Sequence, residues 1–365
     1  MEFGHFSHCW HKYGMSAGER YAMLWRELAL ADQVGFDYGF SVEHHFNPIE
    51  SQMSQPAVYC MGAGLSTRRL RVGPMGYVVP LHHPIRLLEQ IAVLDQATGG
   101  RMIVGLVSGI APVMLQTWGV NFASRREVTM EAVDLIQTAF NRDDNGPINF
   151  DGEFFKLKDV RLSVMPVQRP HPPLWLQSRD AHTLQTLAQR GLDTGYFFYF
   201  PRSEAGQRYP DYLRRWSEAG WKRKPKISYL TLVYVDETDE LARKRAMPNA
   251  LEAFKKFVAG VGGDIEAVQA NTERSATLFE QRGEAGGAEI IRNLQNPDFL
   301  LEKELYFIGS AQTVAAQIKR AASQGLFNTL LCEFNFGSLS EDDVMRSIRL
   351  FARDVMPQLR DFEPF

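Results

Sequence analysis

The sequence predicts a (β/α)8 TIM barrel, and three observations predict it. Short apolar runs alternate with amphipathic helical stretches along most of the chain. Eight such runs read as strands, the number that closes this barrel. One of them, residues 102–107, is almost continuously apolar, as a parallel strand covered on both faces must be. An open doubly wound sheet would use the same elements, because strand order is not written in one sequence. At 365 residues the chain is long for one domain, but α/β barrels commonly are. The reading is therefore a single barrel domain over 1–365, with an insertion between strands seven and eight.

Residues 3–6 read as strand one. Tyr21, Leu24, Leu28 and Ala31 then recur at helical spacing until Gly35 stops the helix. Residues 38–42 form strand two, and a helix over 56–65 ends before Thr67-Arg68-Arg69. Strand three, 70–79, is interrupted by Gly73, Pro74 and Gly76. Pro84 suits a first helical turn, where its missing N–H would be unpaired anyway. Leu87, Leu88, Ile91 and Leu94 give that helix its buried stripe, and Gly99-Gly100 ends it. After strand four at 102–107, Ala132, Leu135, Ile136 and Ala139 line the next helix.

Between residues 145 and 173 the alternation breaks. Asp151-Gly152 flanked by apolar residues signals a hairpin, and prolines at 166, 170, 172 and 173 mark a surface excursion. Residues 174–176, 195–200 and 227–235 read as strands five to seven, and 329–334 as strand eight. Ser340 with Asp343 resembles a capping box opening the last helix, which buries Val344, Ile348, Phe351 and Val355. Residues 236–305 are too long for one connection. They hold helical stretches, including 241–258, and read either as a lid or as a structural elaboration.

The net charge of −3, from 40 basic and 43 acidic residues, gives no electrostatic reason to expect nucleic acid or an anionic membrane. The basic run Lys222, Arg223, Lys224 and Lys226 reads as a solvated loop. Cys9, Cys60 and Cys332 are widely spaced and form no CxxC, which argues against a zinc knuckle and for a reducing, cytoplasmic compartment. No basic-then-apolar leader opens the sequence, and no apolar run is long enough to span a bilayer.

Barrel enzymes build their sites at the C-terminal strand ends. There the sequence carries Ser7 to His11, Glu43-His44-His45-Phe46, Pro80 to His83, Ser108-Gly109 and Gln177-Ser178-Arg179-Asp180. Six of the nine histidines lie in the first three segments. Metal-dependent barrel hydrolases usually need an HxH pair, which is missing, so no metal site is expected. Gly62-Ala63-Gly64 lacks the third glycine of a nicotinamide fingerprint and follows a helix-like run, so it reads as close helix packing.

In order and spacing these pieces resemble the bacterial luciferase-like, flavin-dependent monooxygenase family. The resemblance rests on Glu43-His44-His45-Phe46, on 72–76 followed by Val79-Pro80 and His83-Pro84, and on Leu94-Asp95-Gln96 with Gly100-Arg101. At the C-terminal end it rests on Ile308-Gly309-Ser310 and on 351–357. It implies an enzyme that takes reduced FMN from a separate reductase. With O2 it would form a flavin C4a-hydroperoxide and oxygenate a small organic substrate. A deazaflavin (F420)-dependent oxidoreductase on the same barrel is the alternative.

The same resemblance implies a non-proline cis peptide at Met75-Gly76 beneath the flavin ring, with Gly76 keeping the backbone slim. It implies a cofactor site that includes Ser108, Gln177, Ser178, Arg179, Asp180 and Thr183. Where the luciferases carry a phosphate-binding arginine after strand four, this chain has Ser108, and Arg179 is the expected substitute. His44 is expected to handle the proton that oxygen chemistry needs. His8, Trp10, His45 and Tyr196 are expected to face the substrate. A homodimer is expected through the helices after strands two and three, where Ala57, Gly62, Ala63 and Gly64 are small.

Overall fold

Parallel pairing of the short apolar runs closes a ring. The computed structural model describes residues 1–110, 112–142, 146–178, 180–260 and 263–365. The first part of the chain forms β1 (Glu2–Ser7), α1 (Ala17–Val34), β2 (Tyr38–Ser41), α2 (Pro56–Ser66), β3 (Arg71–Pro74), β4 (Tyr77–Val78) and α3 (Pro84–Ala97). Then follow β5 (Val104–Val107), α4 (Pro112–Thr117), α5 (Arg125–Phe140), β6 (Ile148–Asp151), β7 (Lys156–Val160), β8 (Leu174–Leu176), α6 (Ala181–Arg190), β9 (Thr194–Phe197) and α7 (Arg202–Glu218). The last part forms β10 (Ile227–Asp236), α8 (Asp239–Val258), α9 (Val268–Gln281), α10 (Ala285–Asn293), α11 (Pro297–Glu302), β11 (Phe307–Ser310), α12 (Ala311–Gly325), β12 (Thr329–Glu333) and α13 (Glu341–Leu350).

One ladder runs β10-β12-β1-β2-β3, with β9 beside β10, and another runs β4-β5-β8. Parallel bridges Val72–Met102 and Trp175–Asp193 join the two. The ring therefore has eight positions, with β3 and β4 sharing one, and each falls on a run read as a strand. The barrel expected from the sequence is the barrel observed. The β6–β7 hairpin matches its Asp-Gly signal. One strand was not foreseen: β11 extends the sheet by pairing with Val233–Asp236, the distal part of β10.

The interior is a plug of aromatic rings. Tyr38, Phe40 and Trp175 meet with centroids 5.6 to 5.7 Å apart. Glycines set how closely the strands around it approach. A Cβ on Gly105 would lie 2.0 Å from the Pro74 carbonyl oxygen, and one on Gly76 would lie 2.6 Å from the Gly105 backbone. Gly76 is thus required by packing of β3–β4 against β5. This demand stands beside the expectation that it clears room for a ring.

Gly62 and Gly64 also serve packing, since a Cβ there would meet Trp25 and Thr98 respectively, each at 2.6 Å. The basic run is absorbed by ion pairs: Arg223 with Asp193, Lys224 with Glu363, and Lys226 with Glu2. All three cysteines are buried and free. Among the described residues, no helix is long and apolar enough to cross a membrane.

Insertion helix α8 is tied to the site end of the barrel. Lys256 donates to the His11 carbonyl at 2.9 Å, and Asn47 donates to the Lys256 carbonyl at 2.9 Å. These bonds hold it against the loops after β1 and β2, a fixed cap as far as α8 is concerned.

Candidate active site

Residues that continue the inward-facing series of a barrel strand arrive in the mouth. In β1 the inward positions include Gly4, whose added Cβ would touch Leu331 and Tyr38. Two steps on is Phe6, and two more bring His8 to the rim. In β12 the same parity joins Leu331 to Glu333. His8 and Glu333 therefore converge. Glu333 Oε2 lies 2.5 Å from His8 Nδ1, and the His8 backbone N–H donates to both carboxyl oxygens at 3.1 and 3.2 Å.

His44 leaves the end of β2 beside them. Its backbone N–H donates to the Met53 carbonyl at 2.9 Å, and its Nδ1 lies 2.7 Å from Glu50 Oε1. The His8 and His44 rings meet edge to face at 5.3 Å. Trp10 covers His8 at 4.7 Å, and Phe257 of α8 approaches both imidazoles at 6.5 and 6.3 Å. Trp10 Nε1 is buried and has no hydrogen-bond partner among the described residues. A buried donor left unmet costs free energy unless a ligand or water completes it.

A second cluster forms on Glu43. This buried carboxylate lies 3.2 Å from His45 Nε2 and 2.9 Å from His82 Nε2, and it accepts the Val78 N–H at 2.7 Å. It thereby fixes β4 immediately beyond the Met75–Gly76 peptide, which is cis. His45 continues to the rim, where it meets Phe46 and Trp118 at 5.7 Å each. The other two rim histidines stay apart from these clusters. His11 packs on Tyr13, and His83 accepts the Ile85 N–H as the cap of α3.

Electrostatics give the two imidazoles opposite tendencies. Burial, then the neighbouring charge of His44, pushes His8 down to about 3. Burial also works against the charged form of His44, but the Glu50 carboxylate, followed by Glu43 and Glu333, overcomes it and raises His44 above its ordinary value. Burial pushes Glu333 up to about 8. At neutral pH the mouth holds a neutral imidazole, an imidazole prone to protonation, and a carboxyl group that keeps its proton.

The remaining expected residues divide. Gln177 Nε2 reaches the Met75 sulfur at 2.9 Å and Ser228 Oγ at 3.2 Å, so these side chains share the mouth next to the cis peptide. Ser108 lies just beyond β5. Thr183 directs both its N–H and its hydroxyl to the Asp180 carboxylate at 2.8 Å, so this pair caps α6 internally. Burial opposes the charge on Asp180, but these bonds and then Arg126 and His182 hold its carboxyl below the ordinary range. Arg179 lies outside the described residues.

Tyr196 corrects the reading. A Cβ on Gly195 would point at Ser228 and Gln177, so residue 195 faces inward and 196 faces out. Tyr196 is buried among Tyr209, Tyr229 and Phe327, donating to the Gly325 carbonyl at 2.9 Å, and cannot face a substrate. Sequence reasoning also missed Glu50, Phe257 and Glu333, and the cations Arg125 and Arg126. Arg125 is anchored on the Gly109 carbonyl at 3.2 Å.

A closed α/β barrel with acid–base pairs at its C-terminal rim has the architecture of an enzyme. The model of the family described as luciferase-like monooxygenase matches residues 1–327, and the chain belongs to that family. An alkanal monooxygenase alpha chain of Photorhabdus luminescens is 24% identical, covering 99% of this chain and 98% of its own length. Among solved structures, the monooxygenase RslO1 of Streptomyces bottropensis superposes with a TM-score of 0.82 at 21% identity, covering 98% of this chain and 99% of its own. The oxygenating constituent of 3,6-diketocamphane monooxygenase from Pseudomonas putida, solved with FMN, gives 0.77 at 18%, covering 98% of each chain. An F420-dependent tetrahydromethanopterin reductase of Methanopyrus kandleri gives 0.68 at 17%, covering 98% and 99%. At these identities the solved structures establish a shared fold.

Proposed function

We propose that this protein is a flavin-dependent monooxygenase that receives reduced FMN from a separate reductase and oxygenates a small organic substrate. When bound, reduced flavin would supply the two electrons that O2 needs, so that one oxygen atom could go to the substrate and the other leave as water with two protons. The observation that carries this reading is the His44–Glu50 pair, set beside His8 at the rim. A carboxylate-oriented imidazole with raised proton affinity is suited to hold and return a proton at neutral pH.

The mouth fits a flat, polar-edged cofactor. Gln177 and Ser228 offer amide and hydroxyl groups beside Met75, and Trp10 offers an unmet indole N–H. Ser108 and Ser178, with Arg126 and Arg179, are the candidates for its phosphate, whereas Asp180 and Thr183 act by shaping the start of α6. His8, Trp10 and His45 are the candidates to meet substrate, and Phe257 packs against the imidazoles, limiting the water that such oxygen chemistry must exclude.

The decisive experiment supplies reduced FMN to wild type and His44→Ala and measures oxygen uptake, hydrogen peroxide release and product. The expected result is tight binding of reduced FMN by both, with product falling roughly 10²- to 10⁴-fold in the variant. Unchanged product yield removes His44 from the mechanism. Preferred binding of F420 without oxygen uptake moves the protein to the deazaflavin alternative. The ligand atoms of His8, His44 and Glu50 lie within 4.8 Å of one another, so elemental analysis belongs in the same experiment. Stoichiometric metal would favour a hydrolase instead.

We further propose a cytoplasmic homodimer. Val58 and Leu65 on α2 and Val93 on α3 expose apolar side chains along one open groove of about 710 Å³, and the three buried free thiols suit a reducing compartment.

A further inference from the structure

We propose that Glu333 is the positioning residue of a second proton-holding imidazole, His8, which works beside His44 in the barrel mouth. The role in oxygen chemistry rests on the monooxygenase reading; the proton-holding pair itself does not.

The geometry is specific. A single carboxyl group, 1% exposed, grips one residue twice, through its backbone N–H and through ring Nδ1. Ser51 fixes the same residue from the other side by donating to the His8 carbonyl at 2.6 Å. With its backbone and Nδ1 engaged and its face covered by Trp10, His8 has one free polar atom. Nε2 has no protein hydrogen-bond partner among the described residues, and the His8 and His44 rings meet edge to face. Among the described residues Glu333 touches no other rim side chain by hydrogen bond, so His8 is its bonded route into the site, while its charge, when ionised, also favours the protonated form of His44.

Proton counting gives this arrangement a function. When the pair holds two protons, one is shared between Oε2 and Nδ1 and the other sits on Nε2, which then donates into the mouth. When the pair loses one, the ionised carboxylate takes the Nδ1–H as donor, and Nε2 becomes an acceptor. Loss of a proton from the pair therefore converts His8 from donor to acceptor without moving the ring. The charged and titratable groups that bear on the carboxyl are His5 on β1, Arg20 and Glu27 on α1, Cys9 after β1 and His44 after β2, besides His8 itself. Those that bear on His8 are His44 and Glu50. Arg20 and Glu27 are themselves paired at 3.0 Å, so their charges largely offset, and burial sets the carboxyl at about 8. The exchange is thus placed just above neutral pH.

The test is imidazole ¹⁵N NMR of histidine-labelled protein from pH 6 to pH 10, with the His8 signals assigned by their absence in His8→Gln. The expected result is an Nε2–H tautomer at low pH that changes to Nδ1–H with a midpoint near 8. Glu333→Gln is nearly isosteric, and its amide can donate to Nδ1 at any pH. That variant should keep Nε2–H throughout and lose the corresponding limb from the pH profile of product formation, with reduced-FMN binding within twofold of wild type. A wild-type His8 whose tautomer does not change over this range overturns the proposal, as does a Glu333→Gln variant that titrates like wild type. Failure to bind reduced FMN at all would instead refute the monooxygenase reading, and the tautomer result would still stand.

Discussion

Replacing Glu50 by Gln should reverse the protonation preference of His44. The Glu50 carboxylate is nearly buried and lies 2.7 Å from His44 Nδ1, while the imidazole is 29% exposed. A hydrogen bond of this kind to a charged group contributes about 1.5–3 kcal/mol, and partial exposure argues for the lower half of that range. Each 1.4 kcal/mol is a factor of ten, so proton affinity should fall roughly tenfold and at most about a hundredfold. Burial is the largest influence on His44 and favours the neutral ring. With Glu50 neutralised, the more distant Glu43 is left to oppose it, since Glu333 keeps its proton until about 8, and the midpoint should drop below the ordinary histidine value. The sign carries over to stability. A raised histidine contributes fully below its unfolded-state midpoint, and the contribution is lost as pH rises through the folded-state one. Glu50→Gln should therefore weaken the fold at pH 5.5 and hardly at all at pH 9. Histidine NMR titration and urea midpoints at those two values measure both effects. A His44 midpoint still above the ordinary value in the variant would refute the electrostatic account of this pair.

Three other perturbations have equally definite outcomes. Gly105→Ala places a methyl against the Pro74 carbonyl, and should cost at least about 1–3 kcal/mol in thermal or urea unfolding; a wild-type melting curve would show that β3 and β5 can separate freely. Glu27 is fully buried, hydrogen-bonded to Arg20 and Asn335 and close to His5; burial opposes its charge, but these partners hold it down at about 2. Its contribution is therefore complete above the ordinary glutamate value and lost as pH falls through 2, and Glu27→Gln should cost about 3–5 kcal/mol at neutral pH by urea unfolding. Leu65→Asp, on a side chain 77% exposed, should leave the fold unchanged and convert the proposed dimer to monomer by light scattering; a monomeric wild type would reject the dimer, and a dimeric variant would place the interface elsewhere.

The barrel was legible because closure needs only that apolar runs and helices alternate in the right number. Period and composition carry that information residue by residue, and tertiary packing had little to override. Strand β11 was not legible for the opposite reason. Its four residues pair only with the part of β10 that extends past the barrel ladder, so they are a strand only because that partner is there. Gly76 shows a different limit. The glycine was noticed, but its contact with the β5 backbone was not, because that is a distance between segments about thirty residues apart.

Side-chain direction explains the successes and failures at the site. In a strand every second residue faces the interior, so one phase assignment decides which residues can reach the mouth. His8 and His44 were found because they lie past their strand ends in histidine-rich segments. Tyr196 was misplaced because the glycine before it carries no side chain to reveal the phase. Glu333 was overlooked because residues 329–334 read as one buried apolar run, where its carboxylate looks like an interruption. Yet that interruption is the informative residue. A carboxylate at the last inward position of a buried strand must find a hydrogen-bond donor or keep its proton, and it sits within reach of the first residue beyond the neighbouring strand. In a parallel barrel β1 and β12 are neighbours by closure, so a glutamate ending the last strand and a histidine following the first are brought together by the topology itself.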